Sequence, residues 1–318
     1  MKTFNRYLIL GLVFLMLGCT NSSDTSFEKK FIPTISEESW RICEMPDLGE
    51  LNGSDLTRQH IVDHGFIQAN NGKWQLWACM RGTSVGRILY GWEGESLTSG
   101  SWESLGVVSR ADSTWGEKIN PETIQAPFFM KSDSAYLCFY NSSGIRLMTS
   151  QDGIEYKRIP LKNNNNILYK EGGRDVMVYY EYGTFYAYST VSTVARDGWK
   201  YGYVILRTSK DLIRWSDYTI VSAGGVAGNG PISSESPFVI KYQGYYYLFR
   251  ASSITALTYV YRSDNPYHFG VNDDSKLIAS LPLKAVEIIQ HSGQWYISDL
   301  ADFQGIVMRK LIWKGDGE

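Results

Sequence analysis

A turn followed at once by an aromatic or apolar run recurs five times along this chain. The marks are Asn71-Gly72-Lys73-Trp74, Asp133-Ser134-Ala135-Tyr136, Tyr182-Gly183-Thr184-Phe185, Gln243-Gly244-Tyr245-Tyr246 and Ser292-Gly293-Gln294-Trp295. Between their second residues (72, 134, 183, 244 and 293) the steps are 62, 49, 61 and 49. Each mark separates two short runs rich in β-branched and aromatic residues, the pattern of two antiparallel strands joined by a tight hairpin. The stretch SESPFVIKYQGYYYLF from Ser234 to Phe249 is the clearest copy. A repeat of this length is the size of a propeller blade. The expected fold is all-β: a five-bladed β-propeller with four-stranded antiparallel blades. Blade one is expected over about His60 to Val108, blade two over Thr123 to Ile159, blade three over Gly173 to Val221, blade four after the glycine-rich stretch 224–230, and a shorter blade five over Lys284 to Trp313, completed by the segment around Trp40.

The first residues say where such a body goes. Lys2 and Arg6 precede an apolar run from Tyr7 to Leu17, then Gly18-Cys19 and a polar stretch. The run is shorter than the roughly 20 residues a spanning helix needs, so residues 1–18 read as an export signal. A small residue followed by Cys resembles a bacterial lipobox, which implies cleavage before Cys19 and lipidation of that residue. Thr20 is not the aspartate associated with inner-membrane retention, so an outer-membrane lipoprotein is expected, its body periplasmic or surface-facing and its only membrane contact the lipid anchor. Residues 19–39 then form a polar tether, and 40–318 a single propeller domain.

Loss of Lys2 and Arg6 from 31 basic residues leaves 29 against 33 acidic ones, with no basic cluster, which argues against nucleic acid as a partner. Beyond Cys19, Cys43, Cys79 and Cys138 are too scattered for a disulfide framework or a metal site, and Cys79 and Cys138 lie in aromatic strands as buried thiols. The loop 224–230 lacks the Gly-Lys-Ser/Thr ending of a phosphate loop. No cofactor or metal is expected.

In a propeller the residues that lead the innermost strands meet at one mouth of the central channel although far apart in sequence. The leaders here are Asp63, Gln125, Asp175, Glu235 and Lys284, and the second strands end there with Arg81, Asn141, Ser189, Arg250 and Asp299. Two facing carboxylates are the minimum apparatus for cleaving a glycosidic bond, one donating a proton to the leaving oxygen and one attacking or activating water. A third raises the acid's pKa and stabilises a cationic transition state.

An Asp in blade one, an Arg-Asp pair opening blade three and a Glu closely followed by Pro opening blade four resemble the five-bladed propeller glycosidases of glycoside hydrolase families 43 and 32, the arabinanase, xylosidase and invertase superfamily. The hairpins Ser150-Gln151-Asp152-Gly153, Ser209-Lys210-Asp211 and Ser263-Asp264 are similar to the Ser-x-Asp hairpins of those enzymes, and the resemblance spans about residues 58 to 314. It implies Glu235 as general acid, Asp175 as modulator or transition-state stabiliser, and Asp63 as base or nucleophile. His64 and Val176 stand where family members usually carry Pro after the two aspartates. His64, Arg81, Asn141, Arg174, Arg250 and Asp299 are expected to bind substrate, with Arg81 and Arg250 equally suited to buried ion pairs between blades. Whether configuration is inverted or retained turns on a carboxylate separation of about 6.5 to 9.5 Å against about 5 to 5.5 Å. The expected partner is a carbohydrate. A non-catalytic glycan-binding propeller is the alternative, and burial of Asp63 or Glu235 in an ion pair would favour it.

Overall fold

The computed structural model describes residues 30–315 except 101, 162–164, 172, 196, 197 and 199. The export signal and Cys19 lie outside the described residues. Five antiparallel sheets surround one axis. Blade one is Trp74–Thr83 and Gly86–Gly94 between the inner strand His60–Gln68 and the outer strand Glu103–Ser109, and Glu122–Thr123 adds a short parallel pair to it. Blade two runs Gln125–Lys131, Tyr136–Asn141, Ile145–Ser150 and Lys157–Arg158, with Ile167–Tyr169 also on its third strand. Blade three is Arg174–Glu181, Thr184–Val194, Lys200–Ser209 and Thr219–Ala223, and blade four Glu235–Tyr242, Tyr245–Ser252, Leu257–Ser263 and Leu277–Leu281.

Blade five joins the two ends of the described chain. From the axis outward it reads Ile288–His291, Gln294–Asp299, Gly305–Gly315 and then the N-terminal strand Phe31–Glu44, paired antiparallel from Phe31 opposite Gly315 to Glu44 opposite Gly305. The Trp40 segment therefore completes this blade as expected, but it starts nine residues sooner: the stretch assigned to the tether is strand from Phe31 onward. A register shift between Ile35 and Ser39 bulges out the exposed Glu37 and Glu38, and their polarity made the stretch read as linker.

Local chemistry explains the hairpins. At Tyr182-Gly183, Gln243-Gly244 and Ser292-Gly293 both turn residues have positive φ, as a two-residue hairpin matching the strand twist requires. In Ser150-x-Asp152 and Ser209-x-Asp211 the serine hydroxyl takes backbone N–H groups two and three residues on, while the aspartate takes the next two, so each side-chain pair closes its own turn. The blades pack through aromatic faces. Between blades four and five Tyr242 stacks on Trp313 with centroids 4.3 Å apart, and between blades one and two Trp77 meets Phe129 edge-on at 5.3 Å. Cys79 and Cys138 are fully buried free thiols in these cores.

Candidate active site

The innermost strands do not begin as regular strand. Register slips by one residue between Val62 and His64, Gln125 and Phe128, Arg174 and Met177, and Glu235 and Phe238. At three of these slips Ala126, Asp175 and Ser236 hold φ of 51°, 54° and 44°, and Ala285, ahead of the blade-five inner strand, holds 49°. A bulge sends two successive side chains toward the same side, where a regular strand would send them to opposite faces. Arg174 and Asp175, and likewise Glu235 and Ser236, therefore line one cavity of about 610 Å³ together with Asp63. The three carboxylates expected to meet do share an opening, but in two layers. Asp63 and Asp175 stand at the bulge, as Ala126 and Ser236 do, whereas Glu235 stands one residue earlier, in the place of Gln125 and Arg174. A left-handed conformation costs a non-glycine residue about 1–2 kcal/mol; here that strain surrounds the cavity.

Arg174 and Ser236 tie the cluster together. The Arg174 guanidinium meets Glu235 at 2.9 Å and Asp175 at 3.5 Å. The Ser236 backbone N–H donates to Asp175 at 3.3 Å and its hydroxyl to Asp63, also at 3.3 Å. Ser253 donates to the second oxygen of Glu235. Burial pushes the Asp175 carboxyl up to about 8, with the charges of Asp63 and Glu235 adding and Arg174 opposing. Burial, then the charge of Glu235, likewise holds Asp63 above the usual carboxylate range, with Arg87 and Arg174 opposing. With its pKa raised in this way Asp175 holds its proton until positive charge comes near, so its carboxylate answers a cation that develops in the cavity.

The expected binding residues divide. Arg174 and Arg81 line the cavity. The other four do not reach it. The His64 ring is 2% exposed and bonds Ser298 Oγ at 2.7 Å; it faces the narrow space below, about 20 Å³ or one water, and burial pushes its pKa down to about 3. Arg250 is fully buried because Ala251, not Arg250, is register partner to Glu235, and alternation turns its neighbour to the opposite face, where it donates to the carbonyls of Ser233, Gly224 and Gly228 and the hydroxyl of Ser222. Asn141, opposite Gln125, donates to the carbonyls of Gly144 and Gly173 and accepts from the Gln125 amide. Asp299 accepts the backbone N–H of Lys284 at 2.7 Å, fixing the start of blade five.

The structure adds residues that the strand-leader pattern left out. Ser253, Arg87 and Phe303 line the cavity; the last two come from the third strand of blade one and from the turn between the second and third strands of blade five, which no leader pattern indexes. Glu287, three residues beyond Lys284, faces the narrow space with His64, Asp63 and Asp175, and burial, with the charge of Asp63 adding, holds its carboxyl well above the usual range. Among the described residues, no cluster of three or more His, Cys, Asp or Glu is placed to hold a metal ion.

This is a five-bladed propeller with an acid-lined pocket at its axis, the fold of the glycosidases of families 43 and 32. The chain is similar to a thermostable family-43 glycoside hydrolase, at 16% identity and a TM-score of 0.62 over 84% of this chain and 95% of that one. It is also similar to a family-43 enzyme from Xanthomonas citri complexed with xylose, at 13% identity and a TM-score of 0.54 over 80% and 88%. A family-32 β-fructofuranosidase of Bombyx mori matches at 15% identity and 0.53 over 80% of this chain, which spans 62% of that longer one. No protein-family model matches the sequence, and no curated protein matches it significantly.

Proposed function

We propose that the protein is a glycoside hydrolase that cleaves an oligo- or polysaccharide at the mouth of its propeller channel. The observation that carries the reading is the convergence of Asp63, Asp175 and Glu235, from three blades, on one cavity with Arg174 between them. In it Glu235 donates a proton to the leaving oxygen, Asp63 attacks the anomeric carbon or activates water, and Asp175 steadies the oxocarbenium-like charge between them. Phe303 offers an apolar face for a sugar ring. Likeness to carbohydrate-cleaving enzymes supports the reading, as does a similar fold complexed with xylose. The body belongs to an envelope lipoprotein held through Cys19, a reading that rests on the leader sequence alone.

One observation favours the second reading, a glycan-binding propeller without catalysis: Glu235 is ion-paired to Arg174. Its side chain nevertheless keeps 21% exposure toward the cavity, so the pair is reachable by substrate. The deciding test is a screen of the purified body against aryl glycosides and oligosaccharides with Glu235→Gln alongside. Turnover by the wild type and loss of at least about 10³-fold in the variant on poor leaving groups supports hydrolysis with Glu235 as acid. Binding without turnover supports the binder, and equal turnover by both proteins on poor leaving groups removes Glu235 from the mechanism. The anomer first released, read by NMR, gives inversion or retention.

A further inference from the structure

Beside the carboxylate pocket lies a second cavity of about 770 Å³, and the two share Arg81, Arg87 and Thr123 as a common wall. Arg58, His60, Arg81 and Arg87 line it, with Asp55 and Glu122 its only carboxylates. Neither acid forms an ion pair with those arginines, and Asp55 feels Arg58 only through space. Glu122 is buried with both oxygens taken by Arg110 and a further bond from the Ala111 N–H. Asp55 caps its own turn, accepting the N–H and hydroxyl of Thr57. Among the described residues none of Arg58, Arg81 and Arg87 lies within ion-pair distance of a carboxylate. Arg81 is held in place: its Nε and Nη2 both bond His60 Nδ1, at 3.1 and 2.8 Å, and its guanidinium lies 5.4 Å from the Phe303 ring centroid. That geometry needs His60 as acceptor, hence neutral, and its partial burial and the Arg81 charge both lower its pKa.

From this arrangement we infer that the glycan carries an anionic group, a uronate carboxylate or a sulfate ester, which Arg58, Arg81 and Arg87 hold next to the catalytic carboxylates. The inference rests on the glycan reading of the pocket and narrows it to acidic sugars. Neutral hydroxyls are satisfied by amides and single donors, whereas three guanidinium groups facing one cleft with no carboxylate in ion-pair contact, Asp63 and Asp55 acting on Arg87 and Arg58 only through space, leave donors open to an arriving anion. The planar donors of Arg81 and Arg87 match two oxygens of a carboxylate or sulfate. Arg58 is exposed, so its share of the attraction is screened by salt.

The test is titration calorimetry of Glu235→Gln protein, in which hydrolysis does not intervene, with two matched pairs of probes. One is a galacturonic acid trisaccharide and its methyl ester, the other a galactose disaccharide bearing one sulfate ester and its unsulfated form. The charged member of one pair is expected to bind at least about tenfold more tightly, weakening as salt rises, and which pair responds identifies the anion. Adding Arg58→Ala and Arg87→Ala should reduce the preference below about twofold; should that protein not fold, Arg58→Ala alone, at an exposed residue, must still lower it. Equal binding of charged and neutral members in both pairs overturns the inference, as does a preference that survives the arginine changes. Charge preference with no turnover by wild-type protein removes the hydrolase and keeps the anion site. Turnover of neutral glycosides without charge preference does the reverse.

Discussion

Asp175 carries three constraints at once: a left-handed backbone, burial, and two carboxylates nearby. Its folded-state pKa of about 8 lies above the unfolded value near 3.8, so the folded protein binds this proton more tightly. Stability from the group is therefore full below about pH 4 and is lost as pH rises toward 8. Asp175→Asn fixes the neutral state. Its melting temperature should exceed the wild type's by a few degrees at pH 8, with the gap closing toward pH 4.5, while activity falls at least about 100-fold; melting curves at both pH values and a rate assay check this. At Glu235 the distinctive expectation concerns the leaving group. An acid that protonates the departing oxygen matters little when that oxygen leaves readily, so Glu235→Gln should keep much of its rate on a dinitrophenyl glycoside while losing it on an alkyl one. A purely structural role for Glu235 would depress both alike. The acid character of these positions was legible in the sequence because each sits at a strand start. That His64 turns beneath the pocket was not, because the bulge beside Asp63 shifts which residues share a face.

Among the elements, the strand starts and interblade loops do the positioning. Arg250 in blade four and Arg146 in blade two each cage an interblade loop: the first takes three carbonyls and a hydroxyl, the second the carbonyls of Ser142, Trp115 and Gly116 and the Asn166 side chain. Removing such a side chain leaves buried acceptors without donors. Arg250→Ala should cost about 3–5 kcal/mol in urea unfolding, and a loss below about 1 kcal/mol would show that water replaces it. As a cation at a second-strand end, Arg250 fitted both substrate binding and a buried ion pair; its partners are neutral carbonyls, and period-two alternation from Ala251 put it inside. The hairpins, by contrast, follow from their own turn residues, and their positions were readable before any tertiary contact was known.

For the whole molecule the decisive event is ring closure, in which Phe31–Glu44 becomes the outer strand of the blade built from the C-terminal segments. Deleting residues 31–44 would leave Gly305–Gly315 as an open edge and expose the faces that Phe31 and Trp40 cover. The shortened protein should lose its cooperative thermal transition or self-associate, as calorimetry and size-exclusion chromatography would show; an unchanged monomeric melt would mean that the ring holds without its closing strand. The sequence by itself determined the number of blades, the strands in most of them and the residue types at the axis, since repeat length, alternation and turn chemistry act over a few neighbouring positions. Tertiary structure alone decided which polar side chains reach the cavity, that Arg58 and Arg87 join Arg81 in a cleft beside it, and that Glu287 faces His64 below it. Those outcomes depend on one-residue bulges and on packing between distant segments, and a one-residue offset reverses the face a side chain occupies.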